Sequence, residues 1–170
     1  MVELANQQCT FCGENKATLR EDEIDIPLFG RAFIFSMHCE ACNAHQADVE
    51  PAEQKEPCRF TLEVASEDDL NIKIVKSGEA TVKIPHVITI EPGPAAQGYV
   101  TNVEGLIERV KGVIESAAES EEDPQVKKKA RNLLKKLNKV LVGRENLKII
   151  IEDKSGHSAI ISDKAQKSKL

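Results

Sequence analysis

The sequence predicts a mainly β chain with an α-helical insertion: a small four-cysteine ribbon at the N-terminus precedes a β-rich domain that carries a helical hairpin. Two Cys-x-x-Cys pairs lie near the N-terminus, with 26 residues between them. Short runs of alternating polar and apolar residues follow, a pattern typical of half-buried antiparallel strands. Two amphipathic stretches with helical periodicity then interrupt the strands, and two further strand-like runs come after them.

The cysteine pairs predict a metal site. Cys9 and Cys12 form the first pair, and Cys39 and Cys42 form the second. Thiolates suit a tetrahedral zinc ion, and a two-residue gap lets a tight turn direct two sulfur atoms to one ion. The segment between the pairs is strand-like, so it must leave and return as a hairpin, and Gly13 suits the turn because glycine adopts positive φ. We therefore expect one structural zinc ion per chain, held by these four cysteines in a zinc ribbon.

Two other interpretations of these cysteines are weaker. A redox Cys-x-x-Cys lies before a helix in a βαβ unit, which this segment does not resemble. A catalytic zinc site keeps an open position, and His38 and His45 lie beside the second pair, but four thiols already complete a tetrahedron. His38 and Glu40 also imitate the His-x-Glu of zinc deaminases, in which that motif lies upstream of its cysteines. The fifth cysteine, Cys58, is expected to be an unpaired structural thiol.

Composition restricts the class of protein. The chain has 170 residues and a net charge of −5, whereas a general nucleic-acid-binding domain carries a basic excess. Aromatic residues make up 4% and tryptophan is absent, so the core must be aliphatic. The chain starts without a basic and apolar signal segment and has no apolar run of about 18 residues, the length that crosses a membrane. We therefore expect a soluble cytoplasmic protein with no membrane contact.

The ribbon is predicted to occupy residues 1–50. Two strand-like runs, Glu23–Pro27 and Arg31–Met37, are joined by a corner at Leu28–Gly30. So small a unit cannot bury all its large apolar side chains, and some should pack on the next domain or face a partner. The aromatic residues concerned are Phe29, Phe33 and Phe35.

A β-rich domain is predicted over residues 51–163, beginning with a proline-bracketed linker at 51–57. Its strand-like runs are 59–64, 71–75, 81–84, 87–90, 147–151 and 158–161. Many short strands with polar turns between them indicate a sandwich or barrel. Residues 164–170 lack apolar periodicity, and we expect them to form a mobile tail.

The helical hairpin is predicted at about residues 102–143. Thr101 and Glu104 have the spacing of a capping box at the start of the first helix. Asp123 followed by Pro124 is typical of a helix start, and Gly143 suits the end of the second helix. The apolar arc of the first helix comprises Val103, Leu106, Ile107, Val110, Val113, Ile114 and Ala117.

The second helix has a wholly basic polar face. Such a face is either simply solvated or a surface for an acidic protein or RNA, and no aromatic residues interleave it as RNA binding would favour. The residues are Lys127, Lys128, Lys129, Arg131, Lys135, Lys136 and Lys139.

Several segments resemble the ZPR-type zinc-finger family, which has two tandem modules in eukaryotes and one module in archaea. They are Cys-x-x-Cys-Gly before Ile26–Arg31, Ser36-x-x-Cys-x-x-Cys, and Gly98–Leu106 with the sequence Gly-Tyr-Val-Thr-Asn-Val-Glu-Gly-Leu. This chain resembles the single-module form. The resemblance implies a zinc ribbon followed by a domain similar to a double-stranded β-helix, with the helical hairpin as an insertion. Asp153–Ser158 departs from the usual Asp-Pro-x-Gly-Asn-Ser, and Ile72 stands where arginine is common.

The resemblance also implies a function. It implies no enzyme activity but zinc-dependent protein binding, best tied to the elongation GTPase that delivers aminoacyl-tRNA, whose folding the family assists. Exposed ribbon aromatics, such as Phe29 or Phe33, and the basic helix face are the two candidate surfaces. The alternative is an RNA-binding zinc-ribbon protein that uses the basic helix. A metal-dependent barrel enzyme is disfavoured because His86 and His157 are isolated histidines.

Overall fold

The computed structural model describes residues 1–26, 30–52 and 55–170. Its strands are β1 Val2–Gln7, β2 Ala17–Ile26, β3 Gly30–Cys39, β4 His45–Pro51, β5 Cys58–Val64, β6 Lys73–Lys76, β7 Thr81–Ile84, β8 Ile88–Ile90, β9 Tyr99–Asn102, β10 Leu147–Asp153, β11 Ala159–Ile161 and β12 Gln166–Lys169. The helices are α1 Val103–Glu119 and α2 Pro124–Leu141, and Glu67–Asn71 forms a 3-10 turn. In these residues no helix is long and apolar enough to cross a membrane.

The ribbon is an antiparallel sheet in the order β1-β2-β3-β4. Strands β2 and β3 pair from Ala17 opposite Cys39 to Ile26 opposite Gly30, as the hairpin hypothesis requires. Of the predicted corner Leu28–Gly30, residues 28 and 29 lie outside the described residues, as does residue 27 before it. The sequence did not predict β1 and β4, because an outer strand gains its hydrogen bonds from one neighbour and needs no strong apolar alternation.

Two antiparallel sheets form the rest of the β structure. One has the order β12-β5-β10-β7-β8 and the other has the order β11-β6-β9. In β10 the alternate residues Leu147, Ile149 and Ile151 are buried, while Lys148 between them is exposed. The core is aliphatic, as the composition predicts, and Phe60 is only partly buried against it.

The helical hairpin is inserted between β9 and β10, as expected. The predicted capping box is wrong by one residue: Asn102 is the N-cap, and its Oδ1 accepts a hydrogen bond of 2.8 Å from the Gly105 amide. Asn102 is the last residue of β9 and directly precedes the first helical residue, Val103, whereas Thr101 lies one residue further inside the strand, opposite Ile74. At the second helix Asp123 is the N-cap, as predicted, and Gly143 after the helix has a φ of +64°.

Only part of the hairpin faces the core. In α1 burial ends at Ile114, and Val113 and Ala117, both predicted on the apolar arc, are exposed. In α2 the buried residues are Leu137 and Val140, near its C-terminal end. The two helices are antiparallel, so the exposed end of α1 and the exposed start of α2 together form a tip beyond the core.

The ribbon packs directly on the second domain. Ile26, Ala32 and Val49 from the ribbon form one buried cluster with Val75 and Ala159. Burial of these side chains stabilises the contact by roughly 25 cal/mol per Å² of apolar surface removed from water. The ribbon sheet is therefore held against the sheet that contains β6 and β11.

A hydrogen bond also links the ribbon to the second domain at this junction. The Asp48 carboxylate in β4 accepts a hydrogen bond of 2.8 Å from the amide of Gly98, just before β9. A Cβ at Gly98 would crowd the Asp48 carboxylate and the carbonyls of Val49 and Lys76. Close approach of ribbon and sandwich therefore favours glycine at this position.

The Asp153–Ser158 loop keeps the residues that its structure needs. The fully buried Asp153 carboxylate accepts hydrogen bonds from the hydroxyls of Ser155 and Ser158, both at 2.6 Å, and from the His157 amide at 3.0 Å. Gly156 has a φ of +74°, and a Cβ there would clash with the carbonyl of Glu56. Asp153, Gly156 and Ser158, which match the usual motif, thus have structural roles. Lys154, which stands in place of the usual proline, has an exposed side chain.

The C-terminal segment differs from the mobile tail that was predicted. Gln166–Lys169 forms β12, which pairs with β5 from Thr61 to Cys58. Just before it, the Lys164 ammonium group lies 2.5 Å from the carboxylate of Asp69, which is buried. The strand has only exposed side chains, so apolar periodicity could not reveal it.

Leu137 tests the packing of α2. Leu137→Ala removes a fully buried side chain and leaves a cavity, so the free energy of unfolding should fall by about 2–5 kcal/mol. Lys135 is exposed, and Lys135→Ala should change that free energy by less than about 0.5 kcal/mol. Chemical denaturation of the zinc-loaded protein measures both. Equal effects would contradict this assignment of the helix faces.

Asp153 predicts a pH dependence of stability. Burial raises its pKa, but hydrogen bonds from Ser155 and Ser158 outweigh burial and hold the pKa below its ordinary value. The ionised carboxylate therefore stabilises the fold above the unfolded-state pKa of about 3.9, and this contribution is lost as the pH falls through the folded-state pKa. Asp153→Asn should lower the free energy of unfolding at neutral pH by about 1–3 kcal/mol. Chemical denaturation at a series of pH values should show that the difference in free energy of unfolding between Asp153→Asn and wild type becomes smaller below about pH 4. A difference that stayed constant with pH would show that it does not arise from the ionised Asp153 carboxylate.

Candidate metal centre

The structure brings the four predicted cysteines together at one end of the ribbon sheet. Their sulfur atoms all lie within 4.8 Å of one another. The Sγ atoms of Cys9 and Cys42 are 3.8 Å apart, and those of Cys12 and Cys39 are 3.7 Å apart. A tetrahedral zinc ion with Zn–S bonds of about 2.3 Å has sulfur atoms about 3.8 Å apart. The cluster is therefore suited to one structural zinc ion.

Each cysteine pair sits on a tight turn. In the first turn the Cys9 amide donates to the Glu14 carbonyl at 2.8 Å, and the Gly13 amide donates to the Cys9 carbonyl at 2.9 Å. Gly13 has a φ of +78°, which confirms the conformation expected from the sequence. In the second turn the equivalent position is Asn43, with a φ of +55°. Asparagine is among the few residues with a side chain that adopt this conformation readily.

The ribbon strands position the site. Cys39 ends β3, where it pairs with Ala17 at the start of β2. Cys9, Ala17, Met37 and Cys39 form a small buried cluster, whereas Cys12 is exposed. One side of the site is thus anchored in the sheet, and the other faces solvent.

The thiols perturb one another. Hydrogen bonds from the amides of Cys12 and Phe11 lower the pKa of Cys9 to about 7. The Glu14 amide favours the Cys12 thiolate, but desolvation and the neighbouring thiols outweigh it and raise the pKa of Cys12 to about 12. Four thiolates so close together repel, and a bound dication offsets that repulsion.

The remaining candidate ligands lie outside this cluster. His38 and His45 pair across β3 and β4 with ring centroids 6.4 Å apart, and neither belongs to the metal-competent cluster found among the described residues. Cys58 is buried in β5, where its Sγ donates to the Ser158 carbonyl at 3.7 Å. Burial raises the pKa of Cys58, as expected for an unreactive structural thiol.

The ribbon sheet has two different faces, because residues paired across antiparallel strands point to the same side. One face carries Ile26, Ala32 and Val49 and packs on the second domain. The other carries Phe33 and Phe35; Phe33 is half-buried and Phe35 is 37% exposed. Phe29 lies outside the described residues. Phe11, which no sequence pattern marked as a surface residue, is 65% exposed in the first cysteine turn.

Two cysteine turns on an antiparallel sheet, joined to a β-sandwich, define a zinc-ribbon protein with a jelly-roll domain. The ZPR1 zinc-finger domain model matches residues 2–57, and the ZPR1 jelly-roll domain model matches residues 68–170. The chain belongs to the ZPR1 family. The jelly-roll match also confirms the predicted fold class, since a jelly roll is a double-stranded β-helix.

Relatives of known sequence agree with this assignment. The chain is 37% identical to an uncharacterised ZPR1-like protein of Methanocaldococcus jannaschii, over 100% of this chain and 87% of the relative. It is 37% identical to another such protein of Pyrococcus horikoshii, over 95% of this chain and 75% of the relative. It is 31% identical to the zinc finger chaperone of Schizosaccharomyces pombe, over 94% of this chain but 35% of that relative. The chain therefore corresponds to a single-module form and is a zinc-binding interaction module.

Metal analysis tests the ligand set. Cys39→Ser removes one thiolate, so we expect loss of bound zinc and of ribbon structure, because structural zinc supplies on the order of 10 kcal/mol of apparent binding free energy. Cys58→Ser is the matched control and should retain one zinc ion per chain. Zinc quantification with circular dichroism measures both variants. Full zinc occupancy in Cys39→Ser, or its loss in Cys58→Ser, would refute the assignment.

Proposed function

We propose that this protein is a cytoplasmic binding protein, not an enzyme, that engages the elongation GTPase delivering aminoacyl-tRNA and assists its folding. Zinc held by Cys9, Cys12, Cys39 and Cys42 maintains the binding surface. Membership of the ZPR1 family and a relative named as a zinc finger chaperone support a folding role. The observation that carries the proposal is the apolar groove on the sheet face that the folded ribbon leaves exposed.

This face has the properties of a site for a protein client. It contains an open groove of about 390 Å³ that is lined in part by Val2, Leu4, Leu19 and Phe35. Val2 is 57% exposed and Leu4 is 53% exposed. Exposed apolar side chains arranged together mark interaction sites in soluble proteins, and aromatic residues are frequent anchors. An incompletely folded GTPase presents apolar segments that such a face can cover.

Zinc is linked to the groove through the first cysteine turn. Thr10, between Cys9 and Cys12, lines the groove, and its hydroxyl lies 3.9 Å from the sulfur of Met37. Met37 is buried against the cysteine cluster and also lines the groove. Loss of the metal would release this turn and one end of the groove, so client binding should require zinc.

The basic face of α2 supports a second candidate function, RNA binding. Most of its lysines are exposed, although Lys136 and Lys139 approach Glu145 at 3.9 Å and 4.0 Å. Binding through this face would depend steeply on salt, because phosphate contacts release counterions. The ribbon lies outside this basic face, so variants can separate the two functions.

Phe35 provides the test of the proposed function. Phe35→Ser removes an exposed anchor, so affinity for the elongation GTPase should fall by about 2 kcal/mol or more while zinc content and fold are unchanged. The matched control reverses the charge of Lys128, Lys135 and Lys139, which should leave affinity nearly unchanged. Calorimetry or anisotropy with nucleotide-free GTPase measures both variants.

Two outcomes would overturn this assignment. If the charge reversal abolished GTPase binding and Phe35→Ser had no effect, the client would bind through α2 instead. If the protein bound RNA with a steep salt dependence and the GTPase in no nucleotide state, RNA binding would replace the proposed function.

A further inference from the structure

The exposed sheet face of the ribbon is organised in rows across the strands. We call it the open face; it consists of Val2 and Leu4 in β1, the odd-numbered residues 19–25 in β2 and 31–37 in β3, and the even-numbered residues 46–50 in β4. One row runs from Leu4 through Leu19 to Met37, and the next places Val2 and Phe35 on either side of Glu21. The apolar side chains of adjacent rows meet in the groove described above.

Carboxylates frame the two phenylalanines of the open face. Phe35 pairs with Glu21 on one side and Asp48 on the other. Phe33 pairs with Glu23 and Glu50 in the same way. Each phenylalanine therefore has an acidic residue beside it on both neighbouring strands, and at Phe35 one of these, Asp48, is already bonded to the Gly98 amide at the domain junction.

Few basic groups offset this charge. Among the strand residues of the open face, the basic one is Arg31, which lies 3.2 Å from the Glu23 carboxylate. Arg20 also lines the groove, and its guanidinium lies 2.8 Å from the Glu3 carboxylate. Residues 1–50 contain nine acidic residues against three basic ones. Such a face attracts cationic groups and repels phosphate, so it favours a basic polypeptide over RNA.

We propose that the open face binds a basic, apolar segment of the client polypeptide, in which lysine or arginine residues flank apolar anchors. This rests on the proposed function and states which chemistry of the client is recognised. The apolar anchors fill the groove beside Phe35, and the cationic side chains pair with Glu21 and Glu50, both exposed. Desolvated apolar contact supplies the affinity, and the carboxylates supply selectivity and rapid association.

A peptide series tests this with the zinc-loaded full chain. The probe is a fluorescent peptide that alternates lysine with leucine and phenylalanine. One comparison peptide has glutamate in place of lysine, and the other has serine in place of the apolar residues. Fluorescence anisotropy should show at least tenfold weaker binding for each comparison peptide.

Charge-reversal variants locate the site. Glu21→Lys combined with Glu50→Lys should weaken binding of the basic peptide at least tenfold, and Phe35→Ser should do the same. The matched control, Glu104→Lys combined with Glu115→Lys, changes two exposed residues of α1 by the same charge and should bind as the wild type does. Zinc content and circular dichroism establish that each variant is folded.

The outcomes separate this inference from the proposed function. Equal binding of the glutamate peptide, or equal loss in the α1 control, would overturn the inference. So would a concentration-dependent dimer abolished by Glu21→Lys and Glu50→Lys, since the occupant would then be a second copy of this chain. If the GTPase bound the variant carrying Glu21→Lys and Glu50→Lys normally, the inference would fall and the proposed function would stand. If the basic peptide bound at the open face but the GTPase did not bind, the reverse would hold.

Discussion

The tetrahedral arrangement of four thiolates is the constraint on which the ribbon depends. Its sheet buries one face on the second domain and leaves the other exposed, so apolar burial within the ribbon itself is small. Small units with so little core need a metal or another crosslink to fold. Zinc joins the turn after β1 to the turn after β3, and so it closes the open end of the β2–β3 hairpin, where Ala17 pairs with Cys39.

The junction with the sandwich decides which face of the ribbon sheet is exposed to solvent. Ile26, Ala32 and Val49 are buried at the junction, and Asp48 binds the amide of Gly98. Because one sheet face is occupied there, period-two alternation directs Phe33 and Phe35 to the opposite side. The exposure of Phe35 is therefore a consequence of how the ribbon docks.

Charge is distributed unevenly along the chain, and this separates two surfaces. The ribbon is acidic, whereas α2 carries seven basic residues on its polar face. A cationic protein segment and an anionic partner would therefore be drawn to different parts of the molecule. This separation is why charge reversals on the ribbon and on α2 distinguish protein binding from RNA binding.

Local chemistry was readable from the sequence by itself. The spacing of the cysteines predicted the four-thiol cluster, and a glycine directly after the first pair predicted the positive φ of Gly13. Asp123 followed by Pro124 predicted the start of α2. Each of these features depends on residues close together in the chain. Long-range pairing decided the rest. The pairing of β9 with β6 extends the strand to Asn102, so α1 begins at Val103 and Asn102 rather than Thr101 is its N-cap. The polar residues 166–169 form a strand because they pair with β5. The open face was likewise decided by tertiary structure, since alternation shows that a strand has two faces but not which face another domain will cover.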